Sequence, residues 1–170
     1  MSKSPFKHTR NPKDYRRNVG IAVFNQEGKI WVGKRVGETG PHSWQCPQGG
    51  MDNGEKPKIA AYRELYEETG IVEKNLTLLG KLKGWLYYDF SSQALEKNER
   101  KWKHKGQRQK WFAFRYYGDD SDINLTAHGE QEFSEWKWVD LKTIPDIIIP
   151  FKRPVYERVV VEFEHYARPL

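Results

Sequence analysis

Between Gly49 and Ile71 the chain reads GGMDNGEKPKIAAYRELYEETGI, and no other stretch restricts its fold and chemistry as much. Asn53-Gly54 is a turn signal, Pro57 suits the first turn of a helix and Gly70 suits a C-terminal cap, so a helix is predicted over 57–69. On it Glu64, Glu67 and Glu68 stand at i, i+3 and i+4, which sets three carboxylates on one face within about 5–6 Å. Like charges at that spacing repel unless a cation sits among them. Paired glutamates are ordinarily a solvated face; here the spacing favours a metal site. Hard divalent cations, magnesium or manganese first, take carboxylate oxygens and leave positions open for water and substrate phosphates. Ala60 and Ala61 lie on roughly the same side and are small enough to admit bulky phosphates. Ile59, Tyr62, Leu65 and Tyr66 then supply the apolar surface that anchors the helix.

The remaining pattern is mostly strand. NVGIAVFN within 17–25 and the run 29–34 read as a hairpin around Gln26-Glu27-Gly28. Residues 44–47 form a short strand leading into the glycines. Two runs around Gly84 within 76–88, a run over 110–117 and one over 135–139 complete the strands. Near the end Val155, Val159, Phe163 and Tyr166 recur at helical spacing, predicting a helix within 150–166 that packs the opposite sheet face. An α/β/α sandwich around a mixed sheet fits this order.

A length of 170 residues makes one domain over 1–170 the expectation, with 1–12 a flexible basic tail; seven Trp, nine Tyr and eight Phe supply core mass. One cysteine, Cys46, excludes an intrachain disulfide, and its place between Trp44 and Pro47 suits burial rather than nucleophilic chemistry. The N-terminal segment has no apolar core and no run approaches a membrane span, so a cytoplasmic protein with no membrane partner is expected.

The net charge of +6 is unevenly spread. Residues 1–17 hold six Lys or Arg against Asp14, and 96–110 hold seven against Glu96 and Glu99. An acidic centre with basic flanks suits a polyanion whose reactive phosphates reach the metals. In KWKHKGQRQKW, Trp111 is expected in the core, Trp102 at the surface where it can stack a base, and His104 at the surface or against phosphate.

Gly49, Glu55 and the run Arg63-Glu64-Leu65-Tyr66-Glu67-Glu68-Thr69-Gly70-Ile71 together resemble the Nudix box with every signature position filled. YRRNVGIAVFN, WQCPQGG, GQRQKWFAF, EFSEWKWV and PFKRPVYERVV extend the likeness to bacterial RNA pyrophosphohydrolases and the related plant-type dinucleoside tetraphosphate hydrolases, over roughly 13–165. The resemblance implies the Nudix α/β/α fold and a hydrolase that uses two or three magnesium (or manganese) ions. Its substrate would be a 5′-triphosphate RNA end, converted to a 5′-monophosphate in the step that initiates mRNA decay, or alternatively a dinucleoside polyphosphate such as diadenosine tetraphosphate. Glu64, Glu67, Glu68 and the loop residue Glu132 would be metal ligands and catalytic groups, with Glu67 or Glu132 the general base. The carbonyl of Gln48 would add a ligand. Gly49, Glu55, Arg63 and Gly70 would support the site, Arg63 pairing with Glu55. Arg16, Arg35, Tyr88, Gln107, Lys110, Lys152 and Arg153 would bind substrate. A non-catalytic RNA-binding module of the same fold is the competing class, and the intact box argues against it.

Overall fold

The computed structural model describes residues 10–97 and 103–170. The element order is β1 (Tyr15–Phe24), β2 (Ile30–Arg35), β3 (Trp44–Gln45), β4 (Gln48–Gly50), α1 (Pro57–Thr69), β5 (Leu76–Lys81), β6 (Leu86–Asp89), α2 (Ser92–Lys97), β7 (Gly106–Tyr116), β8 (Phe133–Val139), α3 (Ile144–Ile147) and α4 (Arg153–Phe163). The eight strands form one sheet with a central order β3-β2-β1-β7-β5; β4 joins β1, β6 joins β7 and β8 joins β2. Strands β1 and β7 run parallel over ten register pairs, from Tyr15↔Gly106 to Phe24↔Arg115, and the other pairings are antiparallel. This is the mixed sheet expected.

Burial on both faces explains the near-continuous apolar run of β1. Val19, Ile21 and Val23 pack with Ala60, Ala61 and Leu65 of α1. Ala22 and Phe24 pack on the other face with Val155, Tyr156, Val159 and Phe163 of α4. Helix α4 stops at Phe163; Tyr166 lies in a following 3-10 turn, where its hydroxyl donates to the Leu79 carbonyl at 3.0 Å.

Several expectations are corrected. The hairpin has a single register pair, Phe24↔Ile30; thereafter β2 pairs with β3 and β8, because β4 occupies the β1 edge at Asn18–Gly20. Strand β7 starts four residues early, at Gly106, its polar start being satisfied inside: the Gln109 side chain donates to Asn18 Oδ1 at 2.8 Å and accepts from Trp111 Nε1 at 3.0 Å. Ala60 and Ala61 are fully buried and do not border an open phosphate site, since their small size serves the close approach of α1 to the sheet. Ile59 and Tyr66 are exposed instead of anchoring the helix. Asn11 accepts from the Lys13 backbone at the start of a 3-10 turn, so structure begins inside the segment expected to be a tail; residues 1–9 and Trp102 lie outside the described residues. Trp111 and Cys46 are fully buried as expected. Burial pushes the Cys46 thiol up to about 12, which removes it from nucleophilic chemistry.

Gly20 faces the Trp111 ring so closely that an added Cβ would stand 2.2 Å from a ring carbon. With Trp111 fully buried, Gly20→Ala is expected to destabilise the protein by about 1–3 kcal/mol or more through overpacking, read as a lower denaturant midpoint with an unchanged slope.

Candidate active site

Helix α1 spans Pro57–Thr69 as the turn and cap residues predict. Gly54 takes φ +78° in the turn before it, and Gly70 closes it at φ +71° with its N–H on the Tyr66 carbonyl at 2.8 Å. Arg63 ties this helix to the loop. Its guanidinium grips Glu55 through Nε–Oε2 and Nη2–Oε1, both 2.9 Å, and donates to the Gly50 carbonyl at 2.9 Å. The hydrogen bonds from Arg63 hold the Glu55 carboxyl below its ordinary range. Nη1 also reaches Glu64 at 2.9 Å and Glu67 at 3.3 Å. One arginine therefore fixes the loop and orients two of the three box glutamates.

The glycine before the loop has a steric reason. A Cβ on Gly49 would stand 1.9 Å from the Glu64 carboxyl carbon, so only glycine leaves that carboxylate its place over β4. On the other face of β4, a Cβ on Gly50 would meet Arg16 Nη2 at 2.2 Å. Glu68 is buried and accepts the Gln48 N–H at 3.3 Å. Burial, then the charges of Glu132 and Glu64, push its pKa well up, against the pull of the Gln48 N–H and Lys152. Glu64 is raised as well, by burial first, with Arg63 opposing. Glu132, from the loop before β8, is within electrostatic reach of Glu68.

A buried carboxylate with one long hydrogen bond and two acidic neighbours is a site that a cation relieves. Among the described residues no three His, Cys, Asp or Glu side chains are preassembled around one ion position. That donor set fits hard ions that bind through one or two carboxylates and complete their shells with water and phosphate.

Beside the glutamates a cavity of about 530 Å³ opens, lined among others by Arg35, Gln45, Gln48, Tyr88, Gln107 and Lys152. Lys152 is buried, with Nζ 3.2 Å from Gln45 Oε1 and 3.3 Å from Gln48 Oε1. Burial first, then Arg35, brings its pKa down to about 7. The Tyr88 hydroxyl donates to Gln107 Oε1. Arg35 donates from Nη2 to the His42 carbonyl at 3.3 Å, while its Nε is buried with no hydrogen-bond partner among the described residues. Arg35 thus brings its guanidinium to the cavity wall, where Nη1 lies 3.8 Å from Glu38 Oε1.

Arg35, Tyr88, Gln107 and Lys152 thus share one cavity, with Lys152 within electrostatic reach of Glu68 and Glu132, and Arg16 lies beside Gly50 within reach of Glu64. Two expected residues lie elsewhere. Arg153 is taken by Asp146 at 2.9 Å, Glu157 at 2.8 Å and the Pro145 carbonyl at 3.1 Å, because its helical position turns it out where its neighbour Lys152 turns in. Lys110 is in register with Val19 on the α1 face and lines a different groove. His104 is half-buried. The side chains of Gln45 and Gln48, and Phe90 and Phe151, also line the cavity and are not among the residues expected from the sequence. His128, whose Nε2 is 4.0 Å from Glu67 Oε1, carries no signal in the sequence.

The fold and this site define a hydrolase of pyrophosphate bonds. A model of the NUDIX domain matches residues 14–159, and the chain belongs to the Nudix family. It is 45% identical over 156 residues to the RNA pyrophosphohydrolase of Caulobacter vibrioides, covering 91% of this chain and 88% of that one. With the RNA pyrophosphohydrolase of Rhodospirillum rubrum it shares 50% identity over 158 residues, 91% and 90% of the two chains. Among solved structures, a C. elegans Ap4A hydrolase binary complex is similar at a TM-score of 0.61 and 20% identity, covering 88% of this chain and 98% of that one. The E. coli dihydroneopterin triphosphate pyrophosphohydrolase is similar at 0.65 and 21%, covering 87% and 98%. At those identities the two structures bear on the fold alone. Nudix hydrolases use divalent metal ions, in keeping with the carboxylates described above. Among the described residues no helix is long and apolar enough to cross a membrane.

Proposed function

We propose that this chain is a metal-dependent RNA 5′-pyrophosphohydrolase, which consumes one water to convert a 5′-triphosphate RNA end to a 5′-monophosphate end and pyrophosphate, opening the transcript to decay. The observation that carries this reading is the union of carboxylate cluster and cavity at Gln48. Its backbone N–H binds Glu68, while its side chain meets Lys152 in the cavity wall. A polyphosphate lying across Gln48 would meet acidic residues on one side and cationic ones on the other. The names of the relatives at 45–50% identity support RNA as the substrate.

Glu64, Glu67, Glu68 and Glu132 would hold two or three magnesium (or manganese) ions. Bound there, such ions neutralise phosphate charge and lower the pKa of water. Arg16, Arg35 and Lys152 balance the remaining phosphate charge, and Tyr88 with Gln107 orients the first nucleotide. Glu67 or Glu132 takes the proton of the attacking water. The residues act as one domain in the cytoplasm.

The test compares turnover of 5′-triphosphate RNA and diadenosine tetraphosphate at the same magnesium concentration. A higher kcat/KM on the RNA is expected. Preference for the dinucleotide would move the chain to the neighbouring substrate class.

A further inference from the structure

At the sheet margin that holds the cavity, the strand register divides neighbouring residues between two faces. Arg16, Gln107 and Tyr88 align across β1, β7 and β6, and the latter two line the cavity. One residue away Arg17, Arg108 and Tyr87 align across the same strands, and alternation places them on the α1 face. There the Arg108 guanidinium lies 4.6 Å from the Trp85 ring centre and the Lys110 ammonium 4.9 Å from it. The Arg10 guanidinium lies 5.7 Å from the ring of Tyr87. Farther along, a groove of about 890 Å³ opens between β5 and the start of α1, with Leu78 and Phe112 among its apolar walls. Its charged lining is five lysines, Lys56, Lys58, Lys81, Lys83 and Lys110, with no acidic residue.

The site described above uses none of the groups on the α1 face. Half-buried Trp85 and Tyr87 set among cations, continuing into a lysine groove, have the make-up of a single-strand nucleic-acid surface. Phosphates meet Lys and Arg there, and bases stack on rings already flanked by cations. A sheet face bearing aromatics serves RNA modules in the same way.

We propose that this face binds the body of the RNA downstream of its 5′ end. The RNA strand passes around β6, which among the described residues pairs only with β7 and so forms a short edge between the two faces. The inference rests on RNA being the substrate, and it makes the enzyme favour long transcripts over short polyphosphates.

The experiment uses the full chain and two variants, the triple charge reversal Lys58→Glu/Lys81→Glu/Lys83→Glu, all at exposed positions, and Trp85→Ala. Binding of a long 5′-hydroxyl single-stranded RNA, which cannot be hydrolysed, is read by fluorescence anisotropy across a salt series. Kinetics are read on long 5′-triphosphate RNA and on a 5′-triphosphate dinucleotide. The triple variant is expected to bind the long RNA at least about tenfold more weakly, with a log–log salt slope smaller by about two to three. Its KM for long RNA rises by a like factor while kcat and the dinucleotide kinetics stay unchanged. Trp85→Ala weakens long-RNA binding by about tenfold. Unchanged long-RNA binding and KM in both variants would overturn the proposal. So would competition by polyglutamate as effective as that by RNA, which would mark a surface for an acidic protein. Lysine-dependent RNA binding in a wild-type chain that leaves triphosphate RNA intact would keep the face and refute the enzymatic reading.

Discussion

Glu68→Gln is expected to lower turnover of 5′-triphosphate RNA by on the order of 10³-fold, the scale on which preorganised electrostatic groups act, while the protein stays folded. Its melting temperature in metal-free buffer at pH 7 is expected to rise. The two effects have one cause. Glu68 is buried beside Glu64 and Glu132, and its carboxyl is pushed well above the ordinary 4.5. A carboxyl raised on folding lends stability that is complete below about 4.5 and is lost as pH rises through the folded value. At neutral pH, above the ordinary carboxyl value, the metal-free fold bears a penalty at this carboxyl because its proton affinity is higher folded than unfolded. Glutamine removes the penalty and keeps an acceptor for the Gln48 N–H, but it cannot offer an anionic ligand. Thermal melts and steady-state kinetics on the same preparation check both halves, and an active or unfolded variant defeats the assignment of Glu68.

Gly49→Ala is expected to cost about 10²-fold in kcat with little loss of stability. The new methyl would overlap the Glu64 carboxyl carbon, 1.9 Å from where Cβ must stand. Because the overlap is with the end of a flexible side chain, Glu64 swings aside and the fold survives. The carboxylate then leaves the position at which Arg63 Nη1 holds it at 2.9 Å, and misplacement by about 1 Å is enough to produce a loss of this size. Circular dichroism, thermal melting and kinetics separate displacement from unfolding. Full activity in this variant would show that the place of Glu64 over Gly49 is immaterial.

How much of this was legible in the sequence differs from residue to residue. The helix 57–69 was readable because Pro57 and Gly70 act through local backbone rules that need no tertiary context. Its acidic face was readable for the same reason. Its orientation was not: Ala60 and Ala61 are ambiguous between admitting a substrate and admitting a sheet, and only the packing against Val19 and Ile21 decides for the sheet. The strand start at Gly106 was hidden because GQRQK carries glutamines whose amides are satisfied by Tyr88, Asn18 and Trp111. Lys152 and Arg153 are adjacent in sequence and equally basic. The turn into α4 buries one against Gln45 and Gln48 and gives the other to surface carboxylates. Lys110 was misplaced because strand alternation across β7 separates it from Gln107, which no composition argument can resolve.

The proposed function stands or falls on the products formed from 5′-triphosphate RNA with magnesium and with a chelator. Pyrophosphate and 5′-monophosphate RNA in equal amounts, formed only when the ion is present, are the predicted result. Undiminished release in chelator, or intact RNA under conditions where diadenosine tetraphosphate is cleaved, would contradict it.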